Sequence, residues 1–290
     1  MIVTSQHASP VTHRVWGGDP HQVTDMPTAT LGDTVESVRS AAEELIGEGF
    51  AATMMRLDEG DSLSGRCAAR SVVLVGVAGR LRVVAGGESF DLGARDVVSI
   101  PQGMQYAALN RGPNVSVFAS VGATTDEPIG AEYLEHAHLL AWRTYRREFR
   151  SAPLPRAEVF GHHRLSGPHT PLRSLLGHTV RIPPNQASPW HEIPRDLLFV
   201  QLEGEIEFSS GGAITSLHPG DLLSVRAGTP YSYANVGFGD ALFFDVGGRI
   251  LRSGATSTYY EDDPGWPVRP DAKSYKIVSD DPAFRAIYGS

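Results

Sequence analysis

Residues 103–110 read "GMQYAALN" and residues 228–235 read "GTPYSYAN". Both have the form Gly-x-x-Tyr-x-x-x-Asn, and they stand 125 positions apart. At that offset the agreement runs outward in both directions. Gly79 falls on Gly204, Leu92 on Leu217, Asp96 on Asp221 and Ser99 on Ser224. Phe118, Val121 and Gly122 fall on Phe243, Val246 and Gly247. Without a gap, 13 of the 44 positions from 79 to 122 are identical, where chance would give about three. Upstream, Arg56 meets Arg181. The chain therefore carries an internal repeat of roughly 50–122 and 175–247.

Each copy reads as β-structure. "SVVLVGVAGRLRVV" (71–84) and "DLLFVQLEGEIEFS" (196–209) are β-rich runs broken by one glycine, as in a hairpin. "DVVSIP" (96–101) and "DLLSV" (221–225) follow turns, and "VSVFASVG" (115–122) and "ALFFDVGG" (241–248) close the copies. Short strands at this spacing, with Gly and Pro turns, predict a sandwich or barrel.

The joining segments read differently. Residues 33–47 predict a helix: Asp33 and Glu36 can form a capping box, and Val35, Val38, Ala42 and Leu45 make one apolar stripe. Residues 131–149 predict a second helix, with Leu134, Ala137, Ala141, Tyr145 and Phe149 on one face. Residues 151–174, rich in Pro, His and Gly, read as linker.

Composition bounds the function. With 290 residues there is room for about two domains, and 41% apolar residues suffice for packed cores. No apolar run is long enough to span a bilayer, and the first residues lack the pattern of a signal peptide, so a cytoplasmic home is expected. The single cysteine, Cys67, excludes an internal disulfide framework and a cysteine-rich zinc site. A net charge of −8 argues against nucleic acid as the main partner. Arg greatly outnumbers Lys (only Lys273 and Lys276), which matches the coding bias of a GC-rich bacterial genome.

The repeated unit resembles a cupin, and the chain resembles a bicupin. The second cupin motif, Gly-x5-Pro-x-Gly-x2-His-x3-Asn, lies on residues 95–110 and again on 220–235. Gly103, Gly228, Asn110 and Asn235 match it; Pro101 matches in the first copy only. Tyr106 and Tyr231 stand where the family places its last metal-binding histidine. The first motif ends at Gly79 and Gly204. Its glutamate position holds Val72 and Leu197, and its histidine region holds Arg66 and Ala68 in the first copy and His191 in the second. The resemblance implies an all-β chain of two tandem jelly-roll barrels. The expected layout is an N-terminal arm and helix (1–49), a first barrel (50–125), a helical linker (126–174), a second barrel (175–248) and a C-terminal tail (249–290).

The family's metal site wants three imidazoles and a carboxylate. The first copy offers none, so it reads as structural. The second offers His191, with Asp196 or Glu192 and Tyr231 as further ligands if a metal such as iron is held there. Otherwise Tyr106 and Tyr231 fill vacated volume, with hydroxyls able to serve as hydrogen-bond donors. Gln201 shares a strand face with Leu197 and Phe199. Trp190, Glu192, Asp196, Phe199, Gln201 and Asn235 form the expected ligand-contact set around a catalytic pair, His191 and Tyr231. Arg66 and Arg70 could clamp an anion but read as a solvated loop. His162, His163, His169 and His178 have no spacing that makes a ligand set, and read as linker.

Three functions remain open. One is a small-molecule enzyme without the usual cupin metal, doing acid–base chemistry (isomerisation, dehydration or cyclisation) on an oxygen-rich metabolite. One is a metal-dependent dioxygenase with an atypical site at His191. The third is a non-catalytic binding or regulatory bicupin. A homodimer is compatible with each.

Overall fold

The computed structural model describes residues 11–14, 45–68, 70–124, 138–140, 150–151, 161–164, 174–188, 190–210, 213–248, 258–260 and 274–276. The regular structure among these residues is β-strand, in four antiparallel sheets. In the first unit, Val97–Ile100, Val72–Ala78, Ser116–Ala123 and Phe50–Leu57 lie side by side in one sheet, and Gln105–Leu109 and Arg80–Ala85 lie at the centre of another. The second unit repeats the arrangement 125 residues later. Leu222–Val225, Leu197–Glu203, Ala241–Gly248 and Leu175–Ile182 are adjacent in one sheet, and Ile206–Ser210 and Tyr231–Asn235 in the other.

Period-2 alternation explains why the central strands are apolar on both faces. In Leu197–Glu203, Leu197 and Phe199 point into the second unit's own core, with Ile206, Phe208, Leu223, Tyr231 and Phe243. Leu198, Val200 and Leu202 point the other way. They join Leu222, Leu242, Phe244 and Val246 in a shared core with Phe50, Met54, Val73, Val75 and Val121 of the first unit. The two units are thus packed sheet against sheet. Each fully buried apolar side chain at that seam contributes about 1.5–3 kcal/mol. Polar ties cross it too: Arg95 lies 2.9 Å from Glu203, and the Glu48 amide donates to Asp196 Oδ2 at 2.8 Å.

The repeated glycines are explained by turn geometry. Gly79 and Gly204 have φ of 73° and 67°, and a Cβ at either would press on the backbone of Val115–Ser116 or Asp240–Ala241. Gly103 and Gly228, with φ of 81° and 71°, form the turns that lead into the two tyrosine strands.

Several expectations need correction. The helix expected over 33–47 lies mostly outside the described residues, but its end is a strand: Leu45–Gly47 pairs with Phe50–Ala52 around a tight turn. His138–Leu140, expected inside the second helix, is a strand paired with Val97–Ser99. Part of the expected linker, Gly161–Arg164, is a strand paired with His178–Arg181. In all three places an open sheet edge supplies backbone partners, and in the first two this pairing overrides local helix propensity. Among the described residues each unit is a pair of sheets sharing a core, and no hydrogen-bonded ladder closes a pair into a barrel.

Candidate functional site

The strand Tyr231–Asn235 buries alternate residues, and Tyr231 and Tyr233 face the second unit's core. Its neighbour is the two-residue strand His191–Glu192, with His191 directly opposite Tyr231. The repeat carries over to register: in the first unit Arg66 stands opposite Tyr106 in the same way. His191 is 3% exposed and Tyr231 2%. His191 is therefore a buried strand residue. The two rings lie 4.3 Å apart at 58°, within contact distance for an aromatic pair.

Around this pair the interior is lined with rings. Tyr231 stacks on Phe208 with centroids 5.2 Å apart, and Phe199 meets Tyr231 edge-on at 5.7 Å. Phe243 lies 5.3 Å from Phe199 and 5.1 Å from Tyr233. Phe199 thus packs directly against Tyr231 in the second unit's core. Tyr106 differs from Tyr231 in setting. It is half-buried against the first unit's core and borders an open surface hollow of about 430 Å³, with Val84, Gly86, Gly87, Gln105 and Ala107.

The other expected contacts divide. Gln201 is fully buried on the Phe199 face, and its Nε2 donates to the carbonyls of Glu203 at 2.8 Å and Gly204 at 3.0 Å. Trp190 and Glu192 flank His191 and are half-buried. Asp196 is tied to backbone: its Oδ1 accepts from the Ala227 amide and its Oδ2 from the Glu48 amide, both at 2.8 Å. Asn235 is likewise committed. Its Nδ2 donates to Ile182 and Gly239 carbonyls, both at 2.8 Å, and its Oδ1 accepts from the Gly237 amide at 2.9 Å. Both side chains serve the fold with the atoms that ligand contact would need.

The sequence reading passed over one feature. His178 belongs to the strand Leu175–Ile182, two residues before Val180, and so faces the second unit's core rather than a linker. Opposite it in register is Asp245, two residues beyond Phe243. His178 Nδ1 lies 3.0 Å from Asp245 Oδ1. The signal was available: counting back by twos from Ile182 and forward by twos from Phe243 reaches both residues.

Residues 178–247 match the family model of the cupin domain. The second unit is a cupin domain. The chain as a whole has the tandem-cupin, or bicupin, fold, and solved structures share it. A single-site variant of salicylate 1,2-dioxygenase from Pseudoaminobacter salicylatoxidans superposes with a TM-score of 0.60 at 14% identity, covering 74% of this chain and 78% of that one. A protein from Pseudomonas aeruginosa named as glyoxylate-induced gives 0.58 at 17% identity, covering 71% and 77%. No curated protein sequence matches the chain. Among the described residues no helix is long and apolar enough to cross a membrane.

This donor set differs from that of a cupin-type metal site. The four ligand positions of the second cupin unit hold His191, Ile193, Leu197 and Tyr231, one imidazole and one phenol beside two apolar side chains. Of the two nearby carboxylates, Asp196 accepts two backbone hydrogen bonds and Glu192 is half-buried beside His191. Among the described residues no group of three or more His, Cys, Asp or Glu side chains converges as a metal cluster would require. The metal-binding motifs are degenerate, and these residues do not fit the group.

Proposed function

We propose that this bicupin is a small-molecule enzyme that works by acid–base chemistry in its second unit, without a cupin-type metal. The observation that carries the reading is the buried contact between His191 and Tyr231. Imidazole is the side chain that exchanges protons near neutral pH. In this reading His191 takes or gives the substrate proton and Tyr231 donates a hydrogen bond to a substrate oxygen that gains charge. Phe199 and Gln201 line the same interior, and Trp190 and Glu192 border it. The first unit carries the shared core and serves as scaffold. A substrate rich in oxygen, with acidic protons beside carbonyl or hydroxyl groups, suits isomerisation, dehydration or cyclisation.

The test is proton exchange. Wild-type protein is incubated in deuterium oxide with a panel of hydroxy acids, keto acids and sugars, and deuterium incorporation is followed by NMR. Incorporation into one class of compound, lost in His191→Gln, is expected. Absence of exchange across the panel with folded wild-type protein would contradict the reading. A second reading, a non-catalytic binding bicupin, draws support from the rings of Phe199, Phe208, Tyr231 and Phe243, which pack against one another across that interior.

A further inference from the structure

We infer that His178 and Asp245 form a general-base dyad inside the second unit, acting on a proton next to a flat, apolar part of the substrate. The inference rests on placing the chemistry in that unit, and it adds a base that is independent of His191.

The geometry is set by the sheet. Leu223, Phe199, Asp245 and His178 follow one another across four adjacent strands as directly opposed residues. Directly opposed side chains share a face, and Leu223 and Phe199 place that face in the second core. With the carboxylate as acceptor, His178 donates through Nδ1–H to Asp245 at 3.0 Å. That bond fixes the tautomer and makes Nε2 the basic nitrogen. Asp245 also stabilises the imidazolium that forms when Nε2 takes a proton. The His178 side chain is 4% exposed, with Nε2 buried, and that of Asp245 is 16%, so the imidazole lies within the core and the carboxylate reaches its margin.

The first unit supplies a control within the same chain. The equivalent positions, 125 residues earlier, are Thr53 and Ser120, opposed in the same register on the same two strands. The fold is therefore built with or without titratable groups at this pair. Phe199 lies beside Asp245 on one side and meets Tyr231 on the other. One ring thus separates the dyad from the His191–Tyr231 pair, and a planar substrate group resting on Phe199 would have a base on one flank and proton donors on the other.

The probe is 5-nitrobenzisoxazole, a flat aromatic that needs a base and no proton donor. His178 Nε2 takes the C3 proton, the C–H electron pair forms the nitrile, and the N–O bond breaks with its pair leaving on oxygen as a phenolate. The imidazolium then returns its proton to water. Wild-type protein is expected to turn the probe over at least about tenfold faster than His178→Gln, with a primary isotope effect on the C3-deuterated probe. As a positioning residue, Asp245 should lower kcat with KM held when changed to Asn, and Asp245→Glu should recover part of the loss. His218→Gln, at a half-buried histidine outside the core, should leave the rate unchanged. Equal rates for wild type and His178→Gln would overturn the dyad. If His178→Gln does not fold, native wild-type protein is treated with diethyl pyrocarbonate and the labelled histidines are located by mass spectrometry. Labelling of His178, suppressed by the probe, is expected; labelling of His218 with none at His178 would overturn the dyad. A dead probe reaction beside live exchange on the metabolite panel removes the dyad alone. Live probe turnover beside absent exchange removes the role of His191 alone.

Discussion

Asn110 and Asn235 make the same three hydrogen bonds, 125 residues apart. The Asn110 amide donates to the carbonyls of Leu57 at 2.9 Å and Asn114 at 2.7 Å, and its oxygen accepts from Gly112 at 3.1 Å. Asn235 repeats them with Ile182, Gly239 and Gly237. The asparagine is thus the pin that fastens the turn after each tyrosine strand to the strand that opens its unit. Replacing either by Ala leaves buried backbone groups without their side-chain partner, at about 1–3 kcal/mol for each buried group. A comparable loss of urea midpoint for Asn110→Ala and Asn235→Ala is expected. A large loss at one position alone would show that the two turns are not equivalent.

The shared core predicts that the units unfold together. Leu198 and Phe244 of the second unit pack with Val73, Val75 and Val121 of the first. Leu198→Ala should cost about 2–5 kcal/mol through lost transfer energy and a residual cavity. Fluorescence and circular dichroism should report one coincident transition in both wild type and variant. Two separated transitions would mean that the seam contributes little.

The fold was legible because its signals were doubled. Gly79 and Gly204, Gly103 and Gly228, and Asn110 and Asn235 each mark a backbone requirement that recurs, so two copies supported one reading. The face of Gln201 followed from simple alternation. What failed were elements decided by distant partners. Leu45–Gly47 and His138–Leu140 have helical patterns, and only the open sheet edges beside them make them strands. The site was less legible than the fold. A motif position says that Asn235 matters but not which way its amide points, and here it points to backbone. His178 was missed because it stands at the start of the repeat beside a histidine-rich segment, and its partner Asp245 lies 67 residues away.

The two tyrosines should separate the roles of the units. Tyr231 sits among buried rings beside His191, whereas Tyr106 is half-buried beside an open hollow. Tyr231→Phe should reduce turnover of the metabolite found in the exchange screen by about 5- to 150-fold, the equivalent of one hydrogen bond worth about 1–3 kcal/mol. Tyr106→Phe should change it by less than about twofold. Equal effects at both positions would assign working sites to both units.

Burial of His191 changes what its substitution does. Losing the imidazole removes a ring contact with Tyr231, so His191→Gln should lower the thermal midpoint as well as activity, by the equivalent of about 0.5–1.5 kcal/mol. Calorimetry checks this. An unchanged midpoint would place His191 outside the packed interior.

The central claim is proton transfer by His191 without a cupin-type metal, and one paired measurement tests it most directly. Wild-type protein is washed with a chelator, its iron, manganese, nickel and zinc are measured by mass spectrometry, and its rate of deuterium exchange on the same metabolite is compared with that of folded His191→Gln. Wild-type protein holding well under one equivalent of metal should keep its full rate, and His191→Gln should be slower by about 100-fold or more. A rate that disappears with the metal and returns with it, or a His191→Gln protein that exchanges as fast as wild type, would contradict the account.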